Sequence, residues 1–128
     1  MYPVGKIDRN IFSCITEDIV TDEVIITEKQ IAHIRERHPN DYERYSGFFQ
    51  EIISSPDYIL EANKPNTAVL LKEIRDESEV FKTILKIATS IDEAGYKNSI
   101  ITFMKIDTKE WNRLLRNKRC RFVKHIGQ

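Results

Sequence analysis

The sequence lacks several features that mark common classes of protein. Its only two cysteines, Cys14 and Cys120, lie far apart and form no CxxC pair, which argues against a cysteine-based zinc site. We expect both to be reduced thiols. No apolar run approaches the roughly 18 residues of a membrane helix, and the N-terminus does not resemble a signal peptide. The sequence therefore predicts a cytoplasmic protein without a membrane partner.

The chain also lacks net charge. Twenty basic and twenty acidic side chains cancel, so any binding to nucleic acid requires a local basic patch. The densest patch in the sequence is Lys118–Arg121 with Lys124 and His125, which a solvated tail would explain equally well. The length fits a single domain that spans residues 1–128.

Motifs for phosphate loops and metal sites are absent. The chain contains no GxGxxG, no GxxxxGK[ST], no HExxH and no EF-hand pattern. His33 and His38 are five residues apart, which is not the i, i+4 spacing of a helical zinc pair. We therefore expect chemistry without a metal or a cofactor.

Two helices are predicted in the N-terminal half. Thr27 and Gln30 have the spacing of a capping box, so a helix should run from Glu28 to His38. Pro39 disfavours helical geometry at the preceding residue and should end this helix. A second helix is predicted over residues 41–54, where apolar side chains form one stripe. Two short apolar runs before these helices have the character of strands, Ile11–Ile15 and Val24–Ile26.

The C-terminal half favours strands. Asp107 begins a second capping-box pattern and predicts a helix over Trp111–Leu115. Helices followed by consecutive strands indicate an α+β fold, with N-terminal helices packed on one face of a roughly four-stranded antiparallel sheet and a C-terminal helix. The predicted strands are Tyr58–Leu60, Thr67–Ile74, Val80–Ala88 and Ser99–Ile106.

The first predicted helix concentrates acid–base groups and cations. Ile31 and Ile34 share a face that should anchor the helix to the sheet, whereas His33 and Arg37, four residues apart, are neighbours on another face. His38 lies at the C-terminus, where the helix dipole favours a protonated imidazole. Imidazole suits proton transfer near neutral pH, and a guanidinium suits the charge of a phosphorane. A solvated helix face would show the same spacing.

Lysines inside the strand-like runs form a second group. Lys72, Lys86 and Lys105 each follow apolar residues, and Thr102 adds a hydroxyl. Adjacent antiparallel strands could bring Lys72, Lys86 and Thr102 onto one face. An edge or solvent-exposed face of a sheet would also carry lysines. Lys86 has apolar neighbours at both alternate positions, which favours its partial burial.

The order of these motifs resembles one family. A helix that ends in Arg37-His38, the segment Ser55–Ile59, strands that end in lysine and a last strand containing Ile100–Phe103 are similar to the phage-associated branch of the barnase–EndoU–colicin–RelE-like nuclease superfamily. The resemblance covers about residues 24–115. It implies an α+β fold with its active cleft on the sheet, and metal-independent cleavage of RNA in a phage- or mobile-element-associated, toxin-like setting.

The resemblance also implies a set of site residues. A base would remove the ribose 2′-OH proton, the 2′-oxygen would attack phosphorus, and an acid would protonate the leaving 5′-oxygen, giving a 2′,3′-cyclic phosphate. Either His33 or His38 could be the base. The catalytic candidates are His33, His38, Lys86 and Thr102, and the substrate-binding candidates are Arg37 and Lys72. Lys105 joins the substrate-binding candidates as a further lysine of the strand-like runs.

Two other functions remain open at this stage. The chain could be an RNA- or protein-binding phage accessory domain of the same fold, or a small structural domain whose polar residues face water. RNA is the expected partner, with a protein inhibitor or immunity partner as a further candidate. An enzyme should gather His33 or His38 with at least two of Lys72, Lys86 and Thr102 around one concavity.

Overall fold

The computed structural model describes residues 1–124 and is built on a seven-stranded mixed sheet. His125, part of the predicted basic patch, lies outside the described residues. The strands are β1 (Tyr2–Lys6), β2 (Glu23–Ile26), β3 (Tyr58–Glu61), β4 (Thr67–Ile74), β5 (Glu79–Lys86), β6 (Asn98–Ile106) and β7 (Cys120–Val123). The α-helices are α1 (Arg9–Phe12), α2 (Glu28–Arg37), α3 (Asp41–Tyr45), α4 (Phe49–Ser54) and α5 (Thr108–Asn117), and short 3-10 turns cover Ser46–Phe48 and Arg75–Glu77.

The strand order is β1-β2-β6-β5-β4-β3-β7. Neighbouring strands are antiparallel except for β2 and β6, which run parallel and pair only at Val24–Asn98 and Ile25–Ser99. The chain leaves β2 almost at once to form α2, which packs against β6. The C-terminal part of β6 therefore has a helix, not a strand, beside it.

Each face of the sheet is covered by different helices. Side chains of β5 alternate, so Phe81 and Leu85 point into the larger core formed with α2, α3 and α4. Ile84 points to the opposite face, where it packs with Val69 and with Leu114 of α5. We call these the inner face and the α5 face, respectively.

Helix α2 forms as its sequence predicts. The Thr27 hydroxyl accepts from the Gln30 amide at 3.2 Å, and the Gln30 side chain accepts from the Thr27 amide at 3.0 Å. Ile31 and Ile34 are buried in the larger core. The helix ends at Arg37, with His38 as its C-cap and Pro39 next.

The α+β class is confirmed, but the predicted layout is wrong in two respects. The chain begins with a strand, and the sheet has seven strands, not about four. Strand β1 was missed because Pro3 and Gly5 suggested a loose start, and the structure accommodates them at a bulge in its pairing with β2. Strand β7 follows the predicted C-terminal helix.

Local predictions also failed at two segments. Ile11–Ile15 is not a strand, because Asp8 caps the short helix α1 by accepting from the Asn10 amide at 2.9 Å. The helix predicted over residues 41–54 is interrupted by a 3-10 turn. Helices cover both faces of the sheet, since α5 buries Leu114 on the face opposite the N-terminal helices.

The longest helices, α2 and α5, have 10 residues each. Within residues 1–124, no helix combines the length and apolar character required to cross a bilayer.

A candidate active site between helix α2 and strand β6

A cavity of about 550 Å³ lies between α2 and the part of β6 that has lost β2 as its neighbour. Its volume is in the usual range for ligand sites. It brings together residues that are more than sixty positions apart in the sequence. The lining residues are Lys29, Gln30, His33, Arg37, His38, Ile101, Thr102 and Met104.

Helix α2 supplies the ionisable groups of the cavity. Lys29, His33 and Arg37 are spaced by four residues and form one row along the helix. Because Ile34 is fully buried against the sheet, this row projects from the flank of α2. His38 lies at the C-cap, where the chain turns out of the helix, and its side chain also reaches the cavity.

Strand β6 supplies the opposite wall through an irregularity in its pairing. Thr102 lies opposite Ile84, but Ile100 lies opposite Leu85, so Ile101 is an extra residue in β6. A bulge of this kind bends a strand and changes the direction of its side chains. Ile101, Thr102 and Met104 all line the cavity as a result.

The charge of the cavity favours an anionic ligand. Its described lining includes a lysine, an arginine and two histidines, but no aspartate or glutamate. An arginine presents a fork of donors that matches phosphate oxygens, and histidines exchange protons near neutral pH. The site could therefore bind a phosphodiester and transfer protons to or from it.

Lys72 does not lie in this cavity. It pairs with Phe81 and points to the inner face, where its side chain is only 6% exposed. Its Nζ donates to the Ser55 carbonyl at 2.7 Å and lies 3.5 Å from Asp57. The prediction that Lys72, Lys86 and Thr102 share one face is wrong. Successive side chains of a strand point to opposite faces, and Lys72 points to the inner face.

Lys86 and Lys105 are also outside the lining of the cavity. Lys86 is on the α5 face, but its Nζ lies 3.9 Å from Asp92 in the loop after β5. Lys105 pairs with Phe81 and its Nζ lies 3.1 Å from Glu79. The Glu79 carboxylate beside it raises the pKa of Lys105. The structure thus gathers His33, Arg37, His38 and Thr102, whereas the three strand lysines lie elsewhere.

Four residues that line the cavity were not predicted from the sequence: Lys29, Gln30, Ile101 and Met104. Lys29 had a usable signal, because it precedes His33 by one helical turn. Ile101 and Met104 had none, since their position depends on the bulge in β6. Within residues 1–124, no three His, Cys, Asp or Glu side chains are grouped as a metal site would require.

The comparison with protein families shows which family the chain belongs to. A family model described as phage-Barnase-EndoU-ColicinE5/D-RelE like nuclease2 matches residues 2–120. The chain belongs to this family. The suspected resemblance is therefore confirmed, and the match extends beyond the expected residues 24–115 to include β1. No curated protein and no solved structure matches the chain.

Membership of this nuclease family supports a nuclease-type function in a phage-associated, toxin-like setting. The cavity between α2 and β6 combines acid–base groups with cations, as a nuclease site requires.

Proposed function

We propose that this member of the nuclease family cleaves RNA without a metal ion, in the cavity between α2 and β6. The observation that carries the proposal is the grouping of two imidazoles, a guanidinium, an ammonium and a hydroxyl in a cavity whose described lining contains no carboxylate. RNA contains its own nucleophile in the 2′-OH, so the protein has to supply only proton transfer and charge stabilisation.

The proposed reaction is a transesterification. One of His33 and His38 removes the 2′-OH proton, and the 2′-oxygen attacks the adjacent phosphorus. The other imidazole protonates the 5′-oxygen as its bond to phosphorus breaks, which yields a 2′,3′-cyclic phosphate and a 5′-OH. His33 lies one helical turn before Arg37, and His38 directly follows Arg37. Both histidines line the cavity, so we propose that they act on the same phosphate.

The remaining lining residues would bind the phosphate. Arg37 and Lys29 stabilise the charge that develops on the non-bridging oxygens, and Thr102 donates a hydrogen bond from the opposite wall. Lys72, Lys86 and Lys105 have no role in this proposal, because their ammonium groups lie near carboxylates outside the cavity.

The test is cleavage of an RNA oligonucleotide in excess EDTA. We expect cleavage with 2′,3′-cyclic phosphate products, and no cleavage of DNA of the same sequence. Arg37→Ala should lower the rate by roughly a hundredfold, as for loss of one transition-state donor. Arg35→Ala is the matched control, because Arg35 is on the same helix but is ion-paired with Glu43 outside the cavity.

Loss of all activity in EDTA, or equal cleavage of DNA, would contradict the proposal. If Arg37→Ala and Arg35→Ala lowered the rate of cleavage equally, the active site would not lie in this cavity. RNA binding with no cleavage under any condition would favour the alternative of a non-catalytic binding domain of the same fold.

A further inference from the structure

Lys82 is a strand lysine close to the cavity that the proposed reaction does not use. It lies directly opposite Met104 in the pairing of β5 with β6, and Met104 lines the cavity. Residues opposite each other in antiparallel strands project from the same face, with Cβ atoms about 4.5–5.5 Å apart. Met104 therefore has two neighbours on the α5 face, Thr102 along β6 and Lys82 across from it in β5.

The surroundings of Lys82 are unusual for a lysine. Its side chain is half-buried, and no carboxylate oxygen of the described residues forms an ion pair with its Nζ. Burial lowers the pKa of Lys82, and the positive charges of Lys118 and Arg113 lower it further. The charge of Glu110 acts in the opposite direction, but more weakly than burial.

The Glu110 carboxylate is already paired with Arg113. Its two carboxylate oxygens accept from Arg113 Nε at 2.6 Å and from the second Arg113 nitrogen at 2.7 Å. Lys82, Arg113 and Lys118 therefore form a group of three cations around one acid that is already paired. A half-buried ammonium without a counter-ion is unfavourable unless an anion binds to it.

We propose that Lys82 binds a phosphate of the RNA strand next to the phosphate held in the cavity, on the β5 side of Met104. This inference rests on the proposed function and adds a second subsite to it. Because Lys82 lies opposite Met104, Thr102 and Lys82 are diagonal neighbours across β5 and β6, a separation of about 7–8 Å. That distance is close to the length of one nucleotide of an extended strand, so consecutive phosphates could meet Thr102 and Lys82.

The Lys82 subsite predicts the path of the RNA across the protein surface. An RNA strand that leaves the cavity over Met104 would reach Lys82 first and then Lys118 at the C-cap of α5, whereas Arg113 is already paired with Glu110. Apolar contact with Met104 would accompany the two phosphate contacts. The inferred ligand is therefore a single-stranded RNA of several nucleotides, not an isolated nucleotide.

The test measures binding without cleavage. A fully 2′-O-methylated RNA octanucleotide lacks the nucleophile, and its dissociation constant can be followed against salt concentration. Loss of one phosphate contact on a single strand should reduce the slope of log K against log salt by about 0.7. We expect this change in Lys82→Met, together with about tenfold weaker binding at low salt, as for the loss of one charged hydrogen bond.

Lys86→Met is the matched control, and Lys82→Arg is the rescue variant. Lys86 is four residues away on the same strand and face, and its removal changes net charge equally, but it already lies near Asp92. It should leave the salt slope unchanged, and Lys82→Arg should restore it. Melting temperatures of all variants will identify any loss of folding, and Lys82→Met should melt no lower than the wild type.

The two proposals fail in different ways. If the wild-type protein does not bind the octanucleotide even at low salt, the proposed function is wrong. If the wild type binds but Lys82→Met keeps the wild-type slope, or loses no more than Lys86→Met, only the Lys82 subsite is wrong.

Discussion

Three lysines on the neighbouring strands β4 and β5 have different surroundings: Lys72, Lys82 and Lys86. Lys72 is buried on the inner face and donates to the Ser55 carbonyl, Lys86 lies near Asp92, and Lys82 is half-buried without an ion-pair partner among the described residues. A cation that already has a partner gains little from a phosphate. The unpartnered lysine is therefore the one we assign to the substrate.

Lys72→Met tests the opposite role, that of a structural cation. The change leaves the Ser55 carbonyl without its donor and removes the cation 3.5 Å from Asp57. We expect the free energy of unfolding to fall by about 1–3 kcal/mol, the usual cost of an unsatisfied buried group. The rate of RNA cleavage by the folded protein should not change.

Urea denaturation and a cleavage assay on the same samples check this prediction. Lys64→Met, at an exposed position in the turn between β3 and β4, is the control and should affect neither quantity. Slower cleavage by a Lys72→Met protein of unchanged stability would instead support the substrate-binding role predicted from the sequence.

Helix α2 is the element that connects the fold to the candidate site. Its capping box fixes where it begins, and Ile31 and Ile34 fix which side faces the core. Those two constraints determine that Lys29, His33 and Arg37 project together into the cavity. If α2 were rotated by one residue position, Lys29, His33 and Arg37 would no longer face the cavity together.

Ile34→Ala tests the anchoring of α2. The side chain is fully buried, so its truncation should lower the free energy of unfolding by about 2–5 kcal/mol. Ile91 is 84% exposed, and Ile91→Ala is the control that should have little effect. Chemical denaturation measures both, and a loss for Ile34→Ala no larger than that for Ile91→Ala would show that α2 is oriented differently.

In the molecule as a whole, the parallel contact between β2 and β6 joins the N-terminal strand pair β1 and β2 to the rest of the sheet. Asn98 lies at this junction and is completely buried. Its Oδ1 accepts from the Ala88 amide at 2.8 Å, and its Nδ2 donates to the Thr21 carbonyl at 2.8 Å. One side chain thus connects the start of β6 to two loops.

Asn98→Ala should loosen this junction. It leaves two backbone groups without partners, and each should lower the free energy of unfolding by about 1–3 kcal/mol. Hydrogen exchange should become faster in β1 and β2 than in the central pair of β4 and β5. Asn10→Ala, at an exposed position in α1, serves as the control. If hydrogen exchange became faster to the same extent in all strands, β1 and β2 would not loosen separately from the rest of the sheet.

Helices and strands that depend on nearby residues could be predicted from the sequence. The capping box and Pro39 predicted α2 almost to the residue, and apolar strand-like runs predicted β4, β5 and β6. His33 and Arg37 were predicted to be neighbours for the same reason, since they are four residues apart on a helix. Local periodicity and capping are short-range effects that the sequence displays directly.

Which of these residues lie together in the cavity depends on the tertiary structure. The strand order places β6 beside α2, and one extra residue in β6 brings Thr102 and Ile101 to the cavity. Register also decided that Lys72 faces the core and Lys82 faces the α5 side. A shift of one residue reverses the face of every side chain in a strand. Register depends on packing between distant segments, and spacing along the chain does not encode it.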